Sequence, residues 1–318
     1  MNYVIRPVMP AEIRAALSLT EKVFMEFEAP TYSGEGVRNF INDCIVNEAF
    51  ENNYTSAKFI MLGAFDNDKI IGMLAEKNGN HICLLFVDKD YHRQGVASAL
   101  MREMVVALKL KGADKITVNS SPYAVPFYKH FGFTEIGEQQ TVNGITFAPM
   151  AYIPNELWDA YDENRVKTGR IVERGHGKDV YHLVVSVWIQ NSKSEYLISR
   201  RSPNKPDPLM WECTGGSAVM GEDSLIAAIR EVKEELGVTL NAENGRIFTS
   251  IVRPWYPDIL DVWLFEQDVD IHTVVLQEGE TCDAMWASKD SILKMIDEGT
   301  FFGRKIYPFI DDFFEKEG

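Results

Sequence analysis

Apolar residues recur at helical spacing over residues 10–27 and again over 34–47, so both stretches are read as helices. The pattern then shortens into strands. Residues 58–65 and 69–76 form a predicted hairpin across Asp66-Asn67-Asp68, and Asn78-Gly79 is a turn signal before the apolar run His81–Val87. Val96, Leu100, Met104 and Leu108 share one face of a helix that reaches about Lys111, with Gly112 as its stop. A strand over 115–118, a short helix near 123–130 and strands over 133–137 and 145–153 follow.

The register changes at Pro154-Asn155-Glu156-Leu157-Trp158-Asp159-Ala160-Tyr161-Asp162. Beyond it, predicted strands over 180–190 and 195–200 flank the turn Asn191-Ser192-Lys193-Ser194. A helix over Ser224–Leu236 stops at Gly237, strands over 246–253 and 259–267 come next, and Ser288 caps a final helix ending at Gly299. Two domains are expected, residues 1–153 and 156–318, because 318 residues exceed one compact core. Strands interleaved with helices in both halves make the expected class α/β (α+β).

A hydrophobic share of 46% and a charged share of 25% suit a folded soluble domain pair. A net charge of −15 repels phosphate backbones and acidic lipid, so neither nucleic acid nor a membrane is an expected partner. Small anionic substrates stay open, since a local basic pocket or bound metal overrides the global field. Cys44, Cys83, Cys213 and Cys282 have no metal-knuckle or redox spacing. The first residues lack a signal-type apolar core and no run has membrane-spanning length. A cytoplasmic protein with reduced thiols is expected.

The first candidate site is a joint between strand and helix. His81–Val87 leads through Asp88-Lys89-Asp90-Tyr91-His92-Arg93-Gln94-Gly95-Val96-Ala97-Ser98 into the predicted helix. A helix start offers unpaired amides and the positive end of the dipole, which suit a phosphate. Gly95 and Ala97 leave room for close approach. This stretch resembles the acetyl-CoA motif of the GNAT N-acetyltransferases, with His92 where arginine or glutamine is usual. Ser121-Pro122-Tyr123-Ala124-Val125-Pro126-Phe127-Tyr128 resembles that family's second signature, with Ser121 in place of a frequent asparagine. The resemblance covers most of residues 1–153. It implies a mixed sheet flanked by helices, acetyl-CoA as cofactor and an amine as acceptor. It also implies cofactor contacts from Phe86, Val87, Arg93, Gln94, Gly95, Val96, Ala97 and Ser98, and Tyr128 as general acid toward the leaving thiolate. Glu26, Glu28 and Glu76 are the carboxylates weighed as base, and the sequence does not choose among them.

The second candidate site is a helix of carboxylates. At about 100° per residue, Leu225, Ile229, Val232 and Leu236 form one apolar stripe. Glu231, Glu234 and Glu235 gather opposite it within an arc of roughly 80–100°. Like charges at this spacing repel, and a cation relieves them; hard oxygens suit Mg²⁺ or Mn²⁺. Such an ion can clamp a diphosphate and activate water.

Gly216-Ser217-Ala218-Val219-Met220-Gly221-Glu222, continued by Arg230-Glu231-Val232-Lys233-Glu234-Glu235-Leu236-Gly237-Val238, resembles the Nudix box without departure. The resemblance implies an α/β/α sandwich with Glu231, Glu234 and Glu235 as metal ligands and Glu222 and Arg230 tying loop to helix. It extends over 156–318 toward the branch holding the isopentenyl-diphosphate isomerases and their hydrolase relatives, with Trp158–Asp162 as the opening strand. Arg201 and Lys205 match its diphosphate-holding basic positions, Arg200 less closely, and His182 matches an isomerase metal ligand. Glu280 resembles the late glutamate that serves some hydrolases as extra ligand or base, with Glu278 as its neighbour. The isomerases' cysteine before Gly-His-Pro is absent: Cys213 is displaced by two places. Both this and the intact box favour hydrolysis over isomerisation. Arg253-Pro254-Trp255-Tyr256-Pro257 resembles a segment of pyridine-dinucleotide diphosphatases, and a nucleoside diphosphate derivative is the expected substrate. The resulting expectation is a bifunctional enzyme, with the non-catalytic alternative that one domain serves as a ligand sensor.

Overall fold

The computed structural model describes residues 3–175 and 180–317, and the chain divides into two compact units, Met1–Asn155 and Glu156–Gly318. The first two residues, part of the N-terminal reading, lie outside the described residues.

In the first unit the strands are β1 (Val4–Pro7), β2 (Met61–Asp66), β3 (Lys69–Lys77), β4 (His81–Val87), β5 (Ile116–Ser120), β6 (Thr134–Glu135), β7 (Gln140–Val142) and β8 (Ile145–Tyr152). They form one sheet in the order β1-β2-β3-β4-β5-β8-β6, with β7 pairing β8. Neighbours are antiparallel except β4 and β5, which run parallel. The helices are α1 (Ile13–Phe27), α2 (Gly34–Phe40), α3 (Glu48–Thr55), α4 (Val96–Leu110) and α5 (Val125–Phe131). Leu100, Met104 and Leu108 of α4 pack with Leu62, Ala64 and Ile71 on one face of the sheet. Ile13, Leu17 and Phe24 of α1 pack with Met61, Phe65 and Met73 on the other. The predicted second helix is broken: α2 stops at Phe40 and a π-helical turn, Ile41–Ile45, follows. Helix α3 was not foreseen; Asn47 caps it by accepting from the Phe50 amide.

The parallel pairing of β4 with β5 is short. It involves only His81 with Thr117 and Ile82 with Val118. Beyond it the two strands separate, and the far half of β4 borders a cavity.

The second unit has strands β9 (Leu157–Tyr161), β10 (Lys167–Glu173), β11 (His182–Gln190), β12 (Glu195–Arg201), β13 (Trp211–Glu212), β14 (Thr214–Ser217), β15 (Gly245–Arg253), β16 (Asp258–Glu266) and β17 (Thr281–Ser288). Its helices are α6 (Ser224–Leu236), α7 (Lys289–Asp297) and α8 (Ile310–Glu317). The main sheet runs β13-β12-β11-β16-β15, with β14 added to β11 and β17 to β12; β9 and β10 form a separate ribbon. Strand alternation sorts the core. Leu183, Val185, Val187 and Ile189 face Ala227, Ala228, Val232 and Leu236 of α6. Trp188, Leu260, Val262 and Leu264 face Ile292 of α7 and Phe313 and Phe314 of α8. This is an α/β/α sandwich. The helix capped by Ser288 is present as α7 but is not the last, because α8 follows with Phe313 and Phe314 fully buried.

Candidate active sites

In the first unit, a cavity of about 710 Å³ opens where β4 leaves β5. Phe86, Val87, Arg93, Gly95, Val96, Ala97 and Ser98 line it, together with Glu28, Tyr123, Phe127 and Tyr128. The turn into α4 uses two left-handed residues, Arg93 at φ 57° and Gly95 at φ 81°. Gly95 is the N-cap and supplies no side-chain cap to α4, so the first-turn amides face the cavity rim without a capping side chain. Gln94 does not line the cavity; its side-chain amide donates to the Asp90 carbonyl at 2.7 Å.

Tyr128 is 4% exposed, packed edge-on against Phe127 and Phe133. Burial, with a contribution from Glu28, raises its phenol well above the ordinary range, so it stays protonated. Glu28 follows the last turn of α1 and is half-buried. Burial raises its carboxyl above the usual carboxylate range, while the neighbouring Ser121 and Tyr32 hydroxyls oppose the shift. The other two carboxylates weighed as base are occupied elsewhere. Glu26 pairs with Lys89 at 2.8 Å. Glu76 is buried and accepts from the Ile60 and Gly79 amides at 2.8 and 2.9 Å, which fixes a turn.

In the second unit, the loop before α6 is bolted to the helix through Arg230. Its guanidinium donates to Glu222 at 2.7 and 2.9 Å and to the Ser217 carbonyl at 3.0 Å. It also donates to Glu231 at 2.9 Å and Glu234 at 3.0 Å. Glu231 lies against Gly216 so closely that a Cβ there would sit 2.6 Å from Oε2. Glu235 is 6% exposed, whereas Glu234 lies at the helix surface. Burial pushes its carboxyl up to about 8; Lys205 opposes the shift, and Glu212, Glu231 and Glu280 add to it.

Lys205 Nζ bridges Glu280 at 2.5 Å and Glu235 at 4.0 Å. Arg201 Nη1 donates to both oxygens of Glu212, at 3.0 and 3.1 Å. Arg201 and Lys205 thus converge with Glu212, Glu235 and Glu280, while Glu278 is exposed on the turn nearby and Arg200 turns to the Leu209 carbonyl. Glu212 was absent from the sequence reasoning. Its signal was available: a polar residue alternating with Trp211 just before Gly215-Gly216.

Two family models match, an acetyltransferase (GNAT) domain over residues 28–154 and a NUDIX domain over residues 180–309. An uncharacterized Nudix hydrolase of Listeria innocua is 35% identical over 164 residues, 50% of this chain and 94% of that protein. One from Listeria monocytogenes is 35% identical over 150 residues, 46% of this chain and 88% of that protein. The chain belongs to the Nudix hydrolases. Its first unit carries the GNAT acetyltransferase domain. There the uncharacterized N-acetyltransferase YafP of Escherichia coli is 38% identical over 61 residues, 19% of this chain and 37% of that protein. The chain is therefore an enzyme with acyltransferase and diphosphate hydrolase domains.

Among the described residues, no three acidic, histidine or cysteine side chains of the Nudix domain form a ready coordination group. Arg230 and Lys205 hold the carboxylates instead. The donor chemistry nonetheless suits a hard divalent ion, since Glu212, Glu231, Glu235 and Glu280 supply only carboxylate oxygens. His182 is not among them: it stacks on Trp158 with centroids 3.9 Å apart and planes within 8°. The Pro-rich loop is clamped by the buried Arg253–Asp258 pair, whose two bonds are both 2.7 Å. No helix among the described residues is long and apolar enough to cross a membrane.

Proposed function

We propose that the GNAT domain moves the acetyl group of acetyl-CoA to an amine. We propose also that the Nudix domain, with Mg²⁺ or Mn²⁺, hydrolyses a diphosphate bond in a nucleoside diphosphate derivative. Both substrates are small molecules, and the proposed setting is the cytoplasm.

For transfer, the observation that carries the reading is one cavity bordered by the α4 amides, Glu28 and Tyr128. The amides at Gly95–Ser98 receive the pyrophosphate. The amine nitrogen attacks the acetyl carbonyl carbon, forming C–N as C–S breaks. The amine proton passes to Glu28, and the departing thiolate takes the Tyr128 proton. A carboxyl raised by burial is a stronger base than an ordinary one, and a phenol kept protonated is available as acid.

For hydrolysis, the carrying observation is the convergence of Arg201 and Lys205 on the carboxylates around Glu235. The two cations hold diphosphate oxygens. A divalent ion bound by Glu231, Glu235 and the adjacent carboxylates, with Glu234 at the helix surface, supplies charge neutralisation and a more acidic water. Glu280, the more exposed partner of Lys205, takes the proton of the water that attacks phosphorus, and the bridging P–O bond breaks. The isomerase reading has one specific test in the geometry. Cys213 is buried, its thiol is within bonding distance of Ser186 and Tyr307, and burial pushes it up to about 12. A thiol so enclosed supports hydrolysis rather than protonation of an alkene. Incubating the full chain with a panel of diphosphates and Mg²⁺, followed by chromatography of phosphate products, tests this. Release of isomerised prenyl diphosphate with no cleavage product would reverse the choice.

A further inference from the structure

The lining of the GNAT cavity has a chemical bias. Phe27 lies between His92, 5.1 Å away by ring centroid, and Tyr123, 5.7 Å away. Tyr123 is 55% exposed at this wall, and Val23 and Phe127 continue it. Glu28 is the one carboxylate among the described lining residues. The basic lining residues, His92 and Arg93, both lie on the turn before α4, and His92 Nε2 is engaged by the Val87 carbonyl at 2.8 Å. The Ser121 hydroxyl is buried beside Glu28 and opposes the rise of its carboxyl.

We infer that the acetyl acceptor is a primary amine on an apolar, preferably aromatic, body and without a carboxylate beside the nitrogen. This rests on the acetyltransferase reading above. The amine approaches Glu28, while the body lies along Phe27 and Tyr123. An α-carboxylate beside the nitrogen would be carried to within about 5 Å of Glu28, and His92, the basic residue beside Phe27, is engaged by the Val87 carbonyl. At an effective dielectric near 20, that repulsion corresponds to roughly a hundredfold in binding.

The test uses the full chain, acetyl-CoA and three amines: phenethylamine, phenylalanine and spermidine. Thiol release and product mass are read, and acetyl-CoA binding is measured separately by calorimetry. Phenethylamine is expected to have a kcat/KM about a hundredfold above phenylalanine and to exceed spermidine. Phe27→Ala and Tyr123→Ser are each expected to raise the phenethylamine KM about tenfold while leaving the acetyl-CoA KM within about twofold. Equal or better use of phenylalanine or spermidine, or acetyl-CoA binding without acetylation of any of the three, overturns the acceptor class and leaves the cofactor site standing. Absence of acetyl-CoA binding overturns the acetyltransferase reading itself.

Discussion

The Glu231 carboxylate occupies the space that a side chain on Gly216 would need. Next to it, a side chain on Gly215 would instead meet the Val185 main-chain carbonyl oxygen. The two obstacles differ in kind. A carboxylate ends a flexible side chain and can swing aside, whereas a strand carbonyl cannot move without disturbing the β11–β14 pairing.

Adjacent alanine substitutions should therefore fail in different ways. Gly216→Ala is expected to keep the melting temperature within a few degrees, yet lower diphosphate hydrolysis about a hundredfold by displacing Glu231. Gly215→Ala is expected to cost about 1–3 kcal/mol of stability. Thermal melts and turnover on one substrate measure both. A stable Gly216→Ala protein with full turnover would remove Glu231 from the machinery.

The acid–base pair of the GNAT domain predicts a pH signature. The proposed mechanism requires Glu28 deprotonated, and its folded carboxyl titrates above the usual range. The acid limb of kcat should accordingly lie at higher pH than an ordinary carboxylate would give. Glu28→Gln should lower kcat by about 10²-fold or more and flatten that limb. Tyr128→Phe should slow transfer with little change in the acetyl-CoA KM. A retained acid limb in Glu28→Gln would point to a different base.

The elements carrying chemistry were largely legible in the sequence, and their surroundings were not. Helix α6 begins and ends where Asp223 and Gly237 mark it, since a side-chain cap and a left-handed glycine are local signals. Gly95 likewise marks the start of α4. A helical wheel groups Glu235 with Glu231 and Glu234 by angle and reports nothing of the cover that makes it the most buried of the three. Lys205 and the start of β17 approach it from distant sequence. Glu212 escaped because alternation over a two-residue strand is too short to stand out, although it lies between Trp211 and Gly215-Gly216. Nothing in spacing separates Glu28 from Glu26 and Glu76; only their tertiary partners do.

His81 gives a stability test independent of catalysis. Burial, aided by Lys77, lowers its pKa to about 4, and Nδ1 lies 2.9 Å from Thr117 Oγ1. Its unfolded value is about 6.5. The depressed value means the folded state resists a proton that the unfolded chain accepts. Stability present above pH 6.5 is therefore lost as pH falls toward 4. Other groups titrate in the same window, so the useful quantity is the difference between two proteins. Urea unfolding of the wild type and His81→Gln at pH 7.0 and 4.5 should show a smaller acid loss in the variant. Equal losses would mean that His81 is protonated freely in the folded state.

The cofactor seat offers the most direct test of the GNAT reading. Gly95 has φ 81°, and a Cβ placed there would meet nothing within 4 Å. Any substitution thus carries backbone strain of about 1 kcal/mol, but it does not collide with the protein. Gly95→Ala introduces the strain with a small side chain. Gly95→Glu introduces similar strain together with bulk and a negative charge beside the α4 amides, where the pyrophosphate belongs. Acetyl-CoA affinity, measured by calorimetry with circular dichroism as the check on folding, is expected to fall severalfold in Gly95→Ala. In Gly95→Glu it should fall at least about a further hundredfold, and part of that difference should shrink in high salt because it is electrostatic. If the two variants are both folded and bind acetyl-CoA equally, the pyrophosphate does not sit at this helix start. If only Gly95→Glu loses affinity while both melt alike, the charge rather than the strain is responsible, and the amides of Gly95–Ser98 are the seat.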